Sequence, residues 1–232
     1  MTAIKKRLSA ILQQIRDAEQ QACRPKGSVK LLAVSKTWPA ERLRQLAEAG
    51  QLAFGENYLQ EALDKIVQLD DLSLEWHFIG PIQSNKTRDI ARHFQWVHSI
   101  DRLKIAQRLN DQREPGAAPL NICIQINIDE EDTKSGIAAD ELNALVTAIL
   151  PLRQLKLRGL MIIPAYHDTD EQQQRQSFQK ARALFDQLKT LTPDVDTLSM
   201  GMSGDMPIAI QEGSTMVRIG TALFGERNRQ IT

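Results

Sequence analysis

The chain has 232 residues, of which 42% are hydrophobic and 25% charged, a composition typical of a globular protein and unlike that of a disordered segment. Basic and acidic side chains number 29 each, so no net charge favours binding to nucleic acid or to an anionic membrane. The first residues are polar and amphipathic, and no apolar run reaches the length of a membrane span. We therefore expect a cytoplasmic protein with a small-molecule partner, and no role for nucleic acid or membrane.

Helical and strand patterns alternate along the chain after an amphipathic helix predicted over residues 2–23. Eight short runs rich in valine, isoleucine and leucine are predicted as strands: 30–36, 51–54, 75–79, 95–99, 120–128, 155–163, 195–200 and 215–220. Helical patterns separate them at 39–49, 57–69, 84–93, 101–111, 138–149, 170–190 and 205–212, with a short one after 221. The strands show little polar alternation, which is typical of a parallel sheet covered on both faces.

The number of alternating units predicts the architecture. A (β/α)8 barrel typically takes about 250 residues, so eight units in this chain favour the α/β class, as a TIM barrel with an extra N-terminal helix, over an open doubly wound sheet. The connection over 114–119 is too short to separate domains, and we expect residues 1–232 to form one domain. In such barrels the functional side chains gather at the carboxyl ends of the strands.

Lys36 closes the first predicted strand and is the first candidate for chemistry at that end of the barrel. Partial desolvation at the mouth of an apolar barrel favours the neutral amine, which is the form that attacks an aldehyde to make a Schiff base. A solvated strand end is the ordinary alternative for a lysine in this place.

Two glycine-bearing loops and a buried arginine add to the candidate site. The segments 201–205 and 220–221 follow strands seven and eight, where barrels commonly bind phosphate, although turn and cap chemistry alone would also account for them. Arg218 interrupts an apolar strand and needs a partner, either a ligand or an internal carboxylate such as Glu212 or Glu226. An amine, a phosphate cradle and a guanidinium together fit pyridoxal 5′-phosphate.

Cysteine and histidine give no metal signature. Cys23 and Cys123 lie far apart in different predicted elements, which argues against a disulfide or a shared metal. The four histidines lack ligand spacing, so we predict no metal site. His77 and His98, in or near predicted strand ends, are candidates for lining the pocket.

Five motifs carry a resemblance to a known family: Leu32–Thr37, Phe54–Tyr58, His77–Arg88, Gly201–Met206 and Ser214–Gly225. With these motifs, nearly the whole chain resembles the pyridoxal phosphate homeostasis proteins, single-domain relatives of the N-terminal barrel of alanine racemase. The resemblance implies a barrel that carries pyridoxal phosphate, without robust catalysis, as a carrier or regulator of the cellular cofactor. It also implies a monomer, with apo-enzymes that depend on the cofactor as transient recipients.

The resemblance also implies a role for each site residue and assigns none of them to catalysis. Lys36 would hold the cofactor as an aldimine, with Arg218 facing the pyridine nitrogen and Asn57 near the ring. The phosphate would be held by four residues of the two loops: Ser203, Gly204, Gly220 and Thr221.

The chain departs from the family pattern in two places, and two other activities remain as alternatives. Trp38 stands where relatives can carry a second lysine, and the ending 227–232 lacks lysine, whereas Lys134 does match a further family lysine. A racemase-like enzyme would need a second base, for which Tyr166 is the available tyrosine at the mouth. A Schiff-base aldolase acting on a sugar phosphate would use the same lysine and cradle.

Overall fold

The fold was analysed in a computed structural model that describes residues 2–131, 133–165 and 170–225. Tyr166 and Glu226 lie outside the described residues. The strands are β1 Lys30–Val34, β2 Ala53–Glu56, β3 Glu75–Phe78, β4 Trp96–Ile100, β5 Leu120–Ile126, β6 Leu155–Ile162, β7 Thr197–Ser199 and β8 Met216–Ile219. The helices are α1 Ala3–Gln21, α2 Ala40–Ala47, α3 Leu59–Gln68, α4 Thr87–His93, α5 Leu103–Gln112, α6 Leu142–Ile149, α7 Glu171–Leu191, α8 Met206–Gln211 and α9 Thr221–Phe224. Short 3-10 turns, Ser84–Lys86 and Ala139–Glu141, precede α4 and α6.

The strands form a closed parallel barrel in chain order, which confirms the predicted (β/α)8 architecture. Each strand pairs with the next, and β8 returns to β1 with Arg218 opposite Leu32. This register places Arg218 level with Leu32, two residues before the end of β1. Lys36 lies beyond that end, at the carboxyl end of the barrel.

Apolar packing between the strands and the surrounding helices forms the main core. The N-terminal helix α1 buries residues at positions 4, 8, 11, 15 and 18, the spacing of a single helical stripe, and packs against α8 and α9. None of the described helices combines the length and the apolarity that a membrane crossing needs.

The first strand ends earlier than its apolar pattern predicts. The sequence indicates a strand to Lys36, but β1 ends at Val34, and Lys36 lies half-buried in the turn that follows. The Ser35 amide still donates to the Gly55 carbonyl at 3.0 Å, whereas the Ser35 carbonyl accepts from Lys65 Nζ at 2.8 Å, so side-chain contacts take over there. β5 likewise ends at Ile126 and not at residue 128.

Candidate functional site

A cavity of about 360 Å³ opens at the carboxyl ends of β1 and β8. All seven residues predicted for the site line it: Lys36, Asn57, Ser203, Gly204, Arg218, Gly220 and Thr221. Trp38, which the sequence did not suggest as a pocket residue, lines it as well, together with Asp205 at the end of the predicted loop 201–205. The Trp38 ring stacks on Phe224 at 5.6 Å between centroids, so the turn after β1 is packed against α9.

Arg218 is buried beneath the cavity, and its partners are not carboxylates. Its Nη1 donates to the Ser199 carbonyl at 2.7 Å and to Ser199 Oγ at 3.0 Å, and its Nη2 donates to the Ile162 carbonyl at 2.8 Å. The alternative of an internal pair with Glu212 is wrong, because Glu212 accepts from Arg175 at 2.6 Å on the outside of the barrel.

Three of the five guanidinium N–H groups of Arg218 are thereby used, which leaves two for the cavity that it lines. Desolvation lowers the pKa of Arg218 to about 10, and Asp205 opposes that fall through its charge. The guanidinium therefore remains cationic at neutral pH. Burial in turn raises the pKa of Asp205, whose carboxylate accepts from the Met202 amide.

Both neighbours of Lys36 are held by one charge cluster, which consists of the buried Glu56 and Lys65 and the partly exposed Glu61. Lys65 Nζ donates to Glu56 at 2.7 Å and to Glu61 at 2.5 Å. Glu56 accepts from the Ser35 hydroxyl at 2.6 Å, and Glu61 accepts from the Thr37 amide at 2.5 Å.

The charge cluster also explains an unusual backbone conformation beside Lys36. Thr37 has φ of +68°, a left-handed value that is uncommon for a β-branched residue and costs free energy unless contacts compensate. The Glu61 carboxylate on its amide supplies such a contact. Lys65 and Glu56 are almost fully buried, and Glu56 Oε2 has no hydrogen-bond partner among the described residues. Desolvation raises the pKa of Glu56 in spite of the opposing charge of Lys65.

The two glycine-bearing loops meet across the cavity. Ser203 Oγ accepts from the Ala222 amide at 3.4 Å, which joins the loop after β7 to α9. Within the described residues, the amides of Ser203, Gly204 and Thr221 donate to no backbone carbonyl. These N–H groups are available to an anion or to water.

Asn57 contributes a polar atom without a partner. The residue lines the same cavity, and its buried Oδ1 accepts no hydrogen bond from the described residues. Gly80 packs closely against the Asn57 backbone, since a Cβ added to Gly80 would lie 2.2 Å from the Asn57 carbonyl oxygen. An orphaned acceptor, three available amides and the two remaining donors of Arg218 fit a ligand that has a phosphate and a polar ring.

His77 and His98 do not line this cavity. Both are fully buried in the barrel interior, and they contact each other at 2.9 Å between ring nitrogens. The idea that they line the pocket is therefore wrong, although His98 lies one hydrogen bond from Ser199, which contacts Arg218.

The charge cluster is the feature that inspection of the sequence missed, yet a signal was present. Lys65 lies on the apolar face of α3, one turn from Ala62 and Leu69. A lysine at a core position implies a buried counter-charge. Glu56, at the end of β2, was part of a recognised motif but had no role assigned.

The fold and the site define a class, the parallel barrels of the alanine racemase type. The family model described as alanine racemase, N-terminal domain, matches residues 7–228, so the chain belongs to that family. Alanine racemase from Corynebacterium glutamicum has the same barrel, at a TM-score of 0.67 and 21% identity over 97% of this chain and 63% of that one, which is a likeness of fold alone.

Closer relatives identify the particular family. The pyridoxal phosphate homeostasis protein of Pasteurella multocida is 56% identical over 97% of this chain and 98% of its own, and that of Pseudomonas aeruginosa is 54% identical over 98% and 97%. PipY of Synechococcus elongatus, solved with PLP bound, is 37% identical over 96% of this chain and 100% of that one, with a TM-score of 0.81. The chain belongs to the pyridoxal phosphate homeostasis protein family.

Proposed function

We propose that this protein binds pyridoxal 5′-phosphate at the barrel mouth, with Lys36 as the residue that takes its aldehyde, and contributes to the homeostasis of that cofactor. Bound pyridoxal phosphate supplies an aldehyde that condenses with an amine, with loss of water, and a ring that withdraws electrons. The observation that carries the proposal is that Lys36 and Arg218 share one cavity with both glycine-bearing loops. The names of the relatives and the PLP-bound structure of PipY support it.

Each part of the cavity has a role in this proposal. The available amides of Ser203, Gly204 and Thr221, with the backbone of Gly220 beside them, hold the phosphate. Asn57 would lie beside the ring, with the unpaired Oδ1 of its side chain. The charge cluster keeps the turn that carries the Lys36 amine in one conformation.

Arg218 would present one of its two remaining donors to the ring nitrogen, and this favours a carrier over an enzyme. Because a cationic guanidinium cannot accept the proton of a pyridinium, it keeps the ring nitrogen unprotonated, and the ring stays a weak electron sink. We therefore propose that the protein lacks robust catalysis. It acts in the cytoplasm as a single-domain monomer, with apo-enzymes as transient recipients of the cofactor.

Borohydride trapping tests the proposal directly. The protein as purified should absorb visible light, and reduction should fix the cofactor on Lys36, as located by peptide mass spectrometry. Lys36→Ala should lose both signals, whereas Lys30→Ala, at the start of β1, should keep them. Label on Lys134 in Lys36→Ala would reveal a second site. A wild-type protein that is colourless and stays unlabelled after incubation with pyridoxal phosphate would refute the proposal.

Two outcomes would favour the other activities instead. Steady interconversion of L- and D-alanine by pure protein, lost in Lys36→Ala, would identify a racemase-like enzyme. A colourless protein that borohydride traps on a sugar phosphate would identify an aldolase. The proposal expects neither.

A further inference from the structure

A column of hydrogen-bonded side chains crosses the barrel interior from its amino-terminal end to Arg218. We call Glu75, His77, His98 and Ser199 the polar column. The half-exposed Glu75 carboxylate lies 2.8 Å from His77 Nε2, and His77 Nδ1 lies 2.9 Å from His98 Nε2. His98 Nδ1 lies 3.1 Å from Ser199 Oγ, which lies 3.0 Å from Arg218 Nη1. Strands β3, β4 and β7 contribute its members, and β8 carries Arg218.

The two ends of the column determine where each hydrogen lies. A guanidinium only donates and a carboxylate only accepts. His77 must therefore donate to Glu75 from Nε2, so its Nδ1 accepts and His98 must donate from Nε2 in turn. His98 Nδ1 then accepts from the Ser199 hydroxyl, whose lone pair accepts from Arg218. With neutral histidines, this one arrangement satisfies all four contacts.

Burial keeps the histidines neutral. Both rings are fully buried, and desolvation lowers the pKa of each. The charged and titratable groups that face the column either lower the pKa of the histidines further or offset one another. Lys30 lowers the pKa of His77 while Glu75 raises it, and Arg218 lowers that of His98. Asp205 and the Cys123 thiol lie near the Arg218 end.

We propose that the polar column is a positioning device for the cofactor pocket: it orients Arg218, so that a carboxylate at the opposite end of the barrel governs how firmly pyridoxal phosphate is retained. The inference rests on the proposed function. Its physical basis is that Arg218 has no contacting carboxylate among the described residues. When the Ser199 hydroxyl donates its hydrogen to His98, its orientation is fixed and a lone pair stays available to Arg218 Nη1.

Glu75 gives the sharpest variants because its side chain is half-exposed and does not line the cavity. Glu75→Ala removes the terminal acceptor, whereas Glu75→Gln keeps an oxygen for His77 Nε2. Glu48→Ala, a comparably exposed carboxylate outside the column, is the matched control. We expect the rate of cofactor release to a scavenging apo-enzyme to rise about three- to tenfold in Glu75→Ala, the range for one hydrogen bond lost at a distance. Glu75→Gln and Glu48→Ala should stay within about twofold.

The ring nitrogens provide a second measurement that needs no cofactor. In the cofactor-free protein, 15N spectra should show both buried histidines as neutral Nε2–H tautomers near neutral pH. Glu75→Ala should release His77 into a mixture of tautomers. A Nδ1–H tautomer or a protonated ring in the wild type would overturn the column, whether or not pyridoxal phosphate binds.

The outcomes separate the two proposals. A wild-type protein that traps the cofactor on Lys36, with release unchanged in Glu75→Ala, overturns the positioning role and leaves the proposed function standing. A wild-type protein that binds no cofactor overturns the proposed function, and the ring-nitrogen signals then decide the column alone. Faster release in Glu75→Ala, restored in Glu75→Gln, supports both.

Discussion

Replacing Lys65 with methionine should expose the energetic importance of the charge cluster beside Lys36. Lys65→Met keeps much of the side-chain volume and removes the cation that contacts Glu56 at 2.7 Å. Glu56 is fully buried, so the variant leaves an uncompensated carboxylate in the protein interior. Breaking a buried ion pair in this way costs about 3–5 kcal/mol, a large part of the roughly 5–15 kcal/mol that stabilises a typical domain.

The loss should depend on pH in a direction that the structure determines. Desolvation already raises the pKa of Glu56 in the wild type, where Lys65 opposes the rise, so the variant raises it further. A carboxyl whose native pKa lies above its unfolded value destabilises the fold at high pH, and this penalty disappears as the pH falls and the carboxyl takes up a proton. The free energy of unfolding should therefore fall most near about pH 8 and recover in part near about pH 5.5.

Urea denaturation at the two pH values measures this effect, and two further variants serve as controls. Lys5→Met removes an exposed partner 3.6 Å from Glu48 and should change the free energy of unfolding by less than about 1 kcal/mol. Adding Glu56→Gln to Lys65→Met removes the buried charge and should restore much of the loss. A loss that is the same at both pH values, or no larger than that of Lys5→Met, would refute the reasoning.

Other predictions test the backbone, the thiols and the arginine. A Cβ at Gly159 would lie 1.7 Å from the Thr197 carbonyl oxygen, so Gly159→Ala should cost at least about 2 kcal/mol in urea denaturation, and a smaller loss would contradict the close packing. A thiol reagent should label exposed Cys23 in the native protein but Cys123, whose pKa burial raises, only after unfolding; two fast thiols would contradict this. Arg218→Lys should weaken cofactor binding by about tenfold or more in equilibrium dialysis, and equal affinity would contradict the fork geometry.

Local sequence patterns were enough to predict much of the fold and of the site. Apolar runs separated by amphipathic segments are enough to predict a parallel barrel, because each strand must be covered on both faces. In such barrels the functional residues lie at the carboxyl ends of the strands, which predicts that Lys36, Asn57 and Arg218 share one site. All three line one cavity. The predicted ends of the strands were less accurate. The pattern extends β1 to Lys36, but β1 ends at Val34, before the Ser35 carbonyl, which accepts from Lys65, thirty positions away in the chain.

Partners that come from distant strands could not be predicted in this way. The sequence by itself determined the barrel, the amine at its mouth, the glycine-bearing loops and the family, because these depend on periodicity and on local motifs. Only the tertiary structure decided that Arg218 pairs with Ser199 and not with Glu212, and that a polar column continues from Ser199 to Glu75. The reason is physical: the column takes residues from three strands and meets Arg218 on a fourth, and only closure of the barrel brings their side chains within hydrogen-bond distance.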